Sequence, residues 1–205
     1  MPKQYAFFIN SAVCAGCKTC QVTCKDKHDL DLGIRWRRVY EVTGGEWVAE
    51  GHVWLPNVYA YNLSMSCNHC QNPVCVSVCP TGAMHKREDG IVAVNADTCV
   101  GCKLCAWACP YGAPQYNAKT GVMTKCDFCA DEVDAGRPPA CVAACPMRGL
   151  DFGELDDLRK KYGSLDQVYP MPPADQTQPS VIIKPHRHAK QARNDNAAIT
   201  NREEI

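Results

Sequence analysis

The chain has 205 residues, sixteen of them cysteine, and its 22 basic and 22 acidic side chains cancel to a formal charge of zero, which gives no reason to expect a nucleic-acid partner. No apolar run approaches the roughly 20 residues of a membrane span, and no signal peptide or twin-arginine stretch opens the sequence, so membrane attachment or export is expected to depend on a partner. The length fits one domain or two small ones, and its 46% hydrophobic fraction is ordinary to low once the cysteines are set aside.

In chain order, KQYAFFIN predicts a strand leading into a first thiol quartet, Cys14, Cys17, Cys20 and Cys24. Lys25 stands where the other quartets have proline, so a short helix is expected through Lys25 to His28, with His28 facing solvent. From Ile34 to Met65 there is no cysteine. Alternation in Arg38-Val39-Tyr40-Glu41-Val42, a turn at Thr43-Gly44-Gly45 and Trp47-Val48 predict a β insertion. Core packing is the expected fate of Trp36, Trp47 and Trp54, an aromatic surface for a partner subunit being the alternative.

A second quartet follows at Cys67, Cys70, Cys75 and Cys79, closed by Pro80, and a third at Cys99, Cys102, Cys105 and Cys109, closed by Pro110. Between them Asp89-Gly90 before Ile91-Val92-Ala93-Val94 predicts a small hairpin. The fourth quartet, Cys126, Cys129, Cys141 and Cys145, is interrupted by a loop at Gly136-Arg137-Pro138-Pro139. RGLDFGELDDLRKKYG then predicts a strand and a helix with Leu155 and Leu158 on one face and Gly163 as its stop. Beyond Pro170 the composition turns to proline and polar residues, with Val181-Ile182-Ile183 as one apolar island. Such a tail cannot fold alone, and it is expected to be disordered or, preferably, laid along a partner.

The third quartet has the CxxCxxCxxxCP run of two-cluster ferredoxins, in which three cysteines hold one iron-sulfur cubane and the fourth reaches the other. Four-residue steps put Cys105 with Cys109, and Cys75 with Cys79, on one helical face between two clusters, and proline ends each turn. A zinc ribbon is disfavoured because such sites stop at two CxxC pairs, and a disulfide framework because no secretory segment precedes it. All sixteen cysteines are therefore expected to hold four 4Fe-4S clusters, with site formation and folding a single event. The oxidised clusters with their thiolates would add a charge of about −8. No GxGxxG, P-loop, Ser/His/Asp or paired-carboxylate arrangement stands out, and complete quartets leave no open iron position, so electron transfer without a catalytic residue is expected. Lys18, Lys103, Lys125 and Arg148, each beside a ligand, are candidates for tuning cluster potentials.

QYAFFIN, CAGCKTC, SCNHCQNPVC, CPTGAMHKREDG, CPYGAPQYN, LDFG and VIIKP resemble the four-cluster iron-sulfur electron-transfer subunits of the anaerobic dimethyl sulfoxide reductase family, nearly end to end. The resemblance implies an α+β fold of two nested ferredoxin-like two-cluster modules: an outer one from 1–33 and 111–169, an inner one at 67–110, a β-rich insertion at 34–66 and an extended C-terminal tail at 170–205. It implies a molybdopterin catalytic subunit and a quinol-oxidising integral membrane anchor as partners, in a complex peripheral to the bacterial inner membrane and co-exported to the periplasmic side. Polysulfide, thiosulfate, tetrathionate and formate enzymes use similar subunits; a free ferredoxin-like carrier is the reading of a different class.

Nearness in sequence pairs the second quartet with the third. With a crossed fourth cysteine, Cys67, Cys70, Cys75 and Cys109 hold cluster 3, and Cys79, Cys99, Cys102 and Cys105 hold cluster 4. Cys14, Cys17, Cys20 and Cys145 then hold cluster 1, and Cys24, Cys126, Cys129 and Cys141 hold cluster 2. Spacing alone leaves a sequential pairing open, first with second quartet and third with fourth; the family resemblance implies the nested one.

Overall fold

The computed structural model describes residues 3–189 and 196–204, so the tail at 190–195 and the extreme termini lie outside the described residues. The first strand, β1 (Tyr5–Asn10), is the middle of a three-stranded sheet and is buried on both faces. Phe7 and Ile9 point into the main core, while Ala6 and Phe8 pack with Leu155, Leu158 and Ile182 on the opposite side. After β1 come α1 (Thr19–Lys27), then β2 (Arg38–Gly44), β3 (Trp47–Glu50), β4 (Val53–Pro56) and β5 (Tyr59–Met65). Cys75 of the second quartet lies on α2 (Val74–Ser77) and Cys105 of the third on α3 (Leu104–Ala108), the two helices separated in the chain by the predicted hairpin β6 (Met84–Lys86) and β7 (Val92–Val94). A second hairpin, β8 (Gln115–Asn117) with β9 (Val122–Thr124), precedes α4 (Ala130–Asp134) and α5 (Ala140–Ala143). The chain continues through β10 (Leu150–Glu154), α6 (Leu155–Tyr162), β11 (Val181–Lys184) and β12 (Ala198–Ile199).

Small sheets mixed with short helices make this an α+β fold. The strand and helix expected from RGLDFGELDDLRKKYG are β10, which pairs antiparallel with β1 from Tyr5↔Glu154 to Ile9↔Leu150, and α6. Helix α6 carries Asp156 and Asp157 in its first turn and Arg159, Lys160 and Lys161 in its last, the order that suits the helix dipole. Gly163, at φ +93°, ends it.

The tail departs from expectation. Val181–Lys184 does not await a partner: it is β11, parallel to β1 with Phe7 opposite Val181 and Ile183 opposite Ile9. Val181 and Ile183 enter the main core while Ile182 enters the α6 side, so three consecutive apolar residues are what a strand covered on both faces requires. Farther on, β12 adds to β2 opposite Val42 and Thr43, and a 3₁₀ turn at Arg202–Glu204 follows. Glu204 is buried there, held by Lys18 Nζ at 3.1 Å and Gln21 Nε2 at 3.0 Å. The tail thereby closes over α1.

In the insertion, β2 and β5 form an antiparallel ribbon from Arg38↔Met65 to Gly44↔Tyr59, as the alternation predicts. Trp36 is partly buried, donating from Nε1 to Thr124 Oγ1 at 3.2 Å. Trp47 and Trp54 correct the core-packing expectation. Both lie on the β3–β4 hairpin, every residue of which is exposed, because two strands standing off the body have no layer to cover them.

Candidate metal centres

Each quartet is built on a loop that the sequence bends into left-handed conformations. Gly16 and Gly101, each just before a second cysteine, have φ near +69° and +65°, and Lys18 and Lys103, just after it, have φ 58° and 66°. A side chain at Gly101 would run into the Gly121 carbonyl, so only glycine admits that close approach. Left-handed residues in a turn of this kind can line up successive backbone N–H groups, as an anion nest does. The first and third quartets, which share their cysteine spacing, thus also share this backbone shape.

Helices then carry thiols from one centre to the next. Cys20 and Cys24 lie on α1, and Cys141 on α5, which packs against α1 and is followed by Cys145. One cavity is lined by Cys14, Cys17, Cys20 and Cys145 together with Ile9, Val39 and Leu150. Cys24 has Cys141 and Cys129 as its charge neighbours, and Cys126 has Cys24. A further cavity is lined by Cys67, Cys70, Cys75 and Cys109, and another by Cys79, Cys99, Cys102 and Cys105. Helices α2 and α3 pack against each other between those last two.

Burial pushes the thiols of Cys24, Cys70 and Cys75 up to about 12, and those of Cys105 and Cys129 to about 11. Without a metal these groups are neutral, and binding must displace their protons. Cys17 shifts down because Thr19 hydrogen-bonds its sulfur. At Cys79 burial is outweighed by backbone N–H groups, the Met84 N–H lying 3.4 Å from its sulfur. Met123 N–H to Cys99 at 3.4 Å and Gly149 N–H to Cys145 at 3.3 Å make the same contact elsewhere. Hydrogen bonds to sulfur favour the more negative, reduced state of a cluster.

The donor set fits 4Fe-4S clusters. Apolar walls, four thiols to a cavity and N–H groups aimed at sulfur are what a cubane needs. Buried donors with no protein acceptor among the described residues include Asn68 Nδ2, His69 Nε2 and Arg37 Nε. Asn68 lines the cavity of Cys67. His69 accepts from Val92 N–H through Nδ1 at 3.0 Å, which leaves the proton on Nε2, and its fully buried ring stays neutral because burial depresses its pKa.

The charged residues singled out by sequence have diverse fates. Lys18 is paired with Glu204 and Glu203, so its charge is largely met by carboxylates. Lys103 lies with Nζ 4.0 Å from the centre of the Tyr116 ring. Lys125 is buried, its Nζ donating to the carbonyls of Val92 and Cys126. Arg148 takes a left-handed conformation, φ 49°, just before Gly149. His28 does not face solvent. It caps α1 with Nε2 3.3 Å from Cys129 Sγ and its ring against Trp36, because the helix end abuts the fourth quartet. Arg37 and Ser64 carry no signal in the sequence: in Trp36-Arg37-Arg38 nothing distinguishes the fully buried arginine from its neighbour.

At the margins of the thiol array, Cys17 and Cys102 are exposed. Exposed Val100 lines the same cavity as Cys102, with exposed Leu104 and Trp107, the last 83% exposed, following in sequence, and exposed Met147 lines the same cavity as Cys17, with exposed Val13 and Val22 close in sequence. No described helix is long and apolar enough to cross a membrane.

Thiol quartets buried in apolar walls with two exposed margins define an iron-sulfur electron-transfer protein. A family model described as a 4Fe-4S dicluster domain matches residues 58–155. Over all 205 residues of both proteins the chain is 53% identical to the B subunit of anaerobic dimethyl sulfoxide reductase from Shigella flexneri and 52% identical to that from Escherichia coli (strain K12). It is 40% identical to the thiosulfate reductase electron transfer subunit of Salmonella typhi, over 77% of this chain and 79% of that one. The chain belongs to the family of anaerobic dimethyl sulfoxide reductase B subunits. It is a non-catalytic electron-transfer subunit carrying four 4Fe-4S clusters.

Proposed function

We propose that this chain relays electrons from a quinol-oxidising integral membrane anchor to a molybdopterin catalytic subunit that reduces dimethyl sulfoxide. The observation that carries the reading is the succession of neighbouring thiol groups, with an exposed cysteine in the first and in the last. Cys20 and Cys24 share α1, Cys126 neighbours Cys67 electrostatically, and α2 and α3 join the last two cavities, so the groups follow one another from Cys17 to Cys102. Each cluster, when bound, supplies reversible one-electron redox chemistry at a potential set by its surroundings.

The nested ligand sets are part of the proposal: Cys14, Cys17, Cys20 and Cys145; Cys24, Cys126, Cys129 and Cys141; Cys67, Cys70, Cys75 and Cys109; Cys79, Cys99, Cys102 and Cys105. The cavities lined by three of these sets and the charge neighbours of the other support it. They also support the outer and inner two-cluster ferredoxin-like modules, 1–33 with 111–169 and 67–110. Apolar walls exclude water from the inner thiols, while the apolar rims at Cys17 and Cys102 suit partner surfaces. The exposed β3–β4 hairpin favours a fixed subunit over a free carrier. The higher identity to the dimethyl sulfoxide enzymes than to the thiosulfate subunit favours the former substrate, which the catalytic partner reduces. The complex is proposed to stand at the periplasmic side of the inner membrane, exported through the catalytic partner's signal.

The test is turnover. The reconstituted chain with reduced viologen and dimethyl sulfoxide should give none, and both partners should restore quinol-dependent turnover that replacement of Cys102 abolishes. Sustained turnover by the chain alone refutes the assignment.

A further inference from the structure

Arg37 is the largest fully buried side chain of the described residues, 1% exposed, and it has no carboxylate partner among them. A buried cation is costly unless an anion compensates it. What the protein gives it is neutral. Arg37 Nη1 donates to Ser64 Oγ at 3.1 Å and to the Ser64 carbonyl at 3.2 Å, and Nη2 donates to Ser66 Oγ at 2.9 Å. The guanidinium carbon lies 4.8 Å from the centre of the Phe7 ring. Nε has no protein acceptor among the described residues.

Strand pairing explains why these groups meet. Arg37 immediately precedes β2, and Val39 on β2 lies opposite Ser64 on β5, so the arginine reaches Ser64 on the neighbouring strand and Ser66 just past its end. Ser64 also lines the cavity of Cys14, Cys17, Cys20 and Cys145, with its Oγ 3.2 Å from Cys20 Sγ. Because that oxygen already accepts from Arg37, and a ligating thiolate carries no proton, the serine hydrogen is the one that bridges to Cys20.

We propose that Arg37 and Ser64 form a buried redox-tuning pair, Arg37 holding a fixed positive charge between the first and second thiol groups and Ser64 passing a hydrogen bond on to Cys20, so that both raise reduction potentials. The charge neighbours of the guanidinium agree: burial opposes its charge, but Cys141, Cys20, Cys126 and Cys24 outweigh burial. Cys20 belongs to the first proposed ligand set and the other three to the second. A positive charge favours the reduced cluster, which carries one more electron, and so does a hydrogen bond to a ligand sulfur. Arg37 acts on two sites and Ser64 on one. The fourth set has no thiol among the arginine's principal charge neighbours and serves as an internal reference.

This inference rests on the proposed ligand sets, and the experiment separates the two. In the full chain with its clusters assembled, Cys17→Ser and Cys129→Ser should first perturb two different signals in electron paramagnetic resonance. If they perturb one and the same signal, the ligand sets fail and not the tuning pair. Redox titration of Arg37→Gln should then lower both of those midpoints about tenfold in the reduction equilibrium, about 59 mV for one electron, with the fourth site unmoved. Ser64→Ala should lower the first midpoint alone, by less. Arg37→Lys, which keeps the charge, should restore the second. An equal shift at all four sites, or a shift with Arg37→Lys as large as with Arg37→Gln, overturns the proposal. If Arg37→Gln fails to assemble, Ser64→Ala decides: an unchanged first midpoint overturns the proposal on its own.

Discussion

Replacing Ile182 by alanine tests whether the tail is part of this fold. Ile182 is 1% exposed, on β11, packed with Ala6, Phe8, Leu155 and Leu158 on the face away from the thiols. Truncating a large buried aliphatic side chain costs about 2–5 kcal/mol, combining lost transfer energy with the cavity left behind. At ~3 kcal/mol, and with about 2–4 °C per kcal/mol for a chain of this size, the midpoint should fall by roughly 6–12 °C. The assay is anaerobic thermal loss of the cluster absorbance at one fixed scan rate, because cluster loss makes unfolding irreversible. Leu32→Ala, at a side chain 97% exposed, is the control and should leave the midpoint in place. Since Ile182 faces away from the thiols, the cluster spectrum before melting should match that of the unsubstituted chain. A midpoint unchanged by Ile182→Ala would mean that the tail does not pair with β1, and the sheet order β10-β1-β11 would be wrong.

Two other outcomes follow from the same structure. Cys24→Ser should remove or alter the cluster signal that Cys129→Ser also alters, costing up to about four of the roughly sixteen irons, and should spare the signal of Cys14; loss of the Cys14 signal instead would refute the crossed fourth cysteine, and loss of the Cys67 signal would favour sequential pairing. Replacing Trp47 and Trp54 together by serine should change stability by no more than about 0.5 kcal/mol per site, since both rings are exposed, yet weaken assembly with a partner by ~30-fold if one ring is an interface anchor worth about 2 kcal/mol. Titrating the partner against the variant decides it, and unchanged affinity would show that the hairpin docks nothing.

What could be read from the sequence was whatever short-range chemistry dictates. Cysteine spacing marked the quartets, Asp89-Gly90 marked the β6–β7 turn, and Gly163 marked the end of α6, since each signal lies within a few residues of its consequence. What was illegible depends on residues far apart in the chain. The pairing of Phe8 with Ile182, which turns an apparent docking segment into a buried strand, leaves no local trace. Nor does the burial of Arg37, since its partners Ser64 and Ser66 arrive from the end of β5, far along the chain. The expectation of a solvent-facing His28 fails because the end of α1 abuts Cys129, a contact between residues 28 and 129. Trp47 and Trp54 depart for the opposite reason. Their alternation is that of an ordinary strand pair, and only the absence of a covering layer keeps them exposed.

The neutral composition takes on a different meaning once charges are placed. At the surface several cations are met by the chain's own carboxylates: Lys27 by Asp131 and Glu132, Arg87 by Asp89 and Asp134, and Lys18 by Glu203 and Glu204. Arg37 and Lys125 are different, deeply buried with backbone carbonyl and hydroxyl partners and no carboxylate among the described residues. Bound clusters would bring about −8 of charge into this interior, and these two are the buried basic side chains among the described residues. Surface charges screened by solvent cannot substitute, because their effect falls off within a Debye length while a charge in the dry interior does not. A formal charge of zero therefore conceals a division of labour in which surface ion pairs cancel one another and the interior cations are left to face the thiolates.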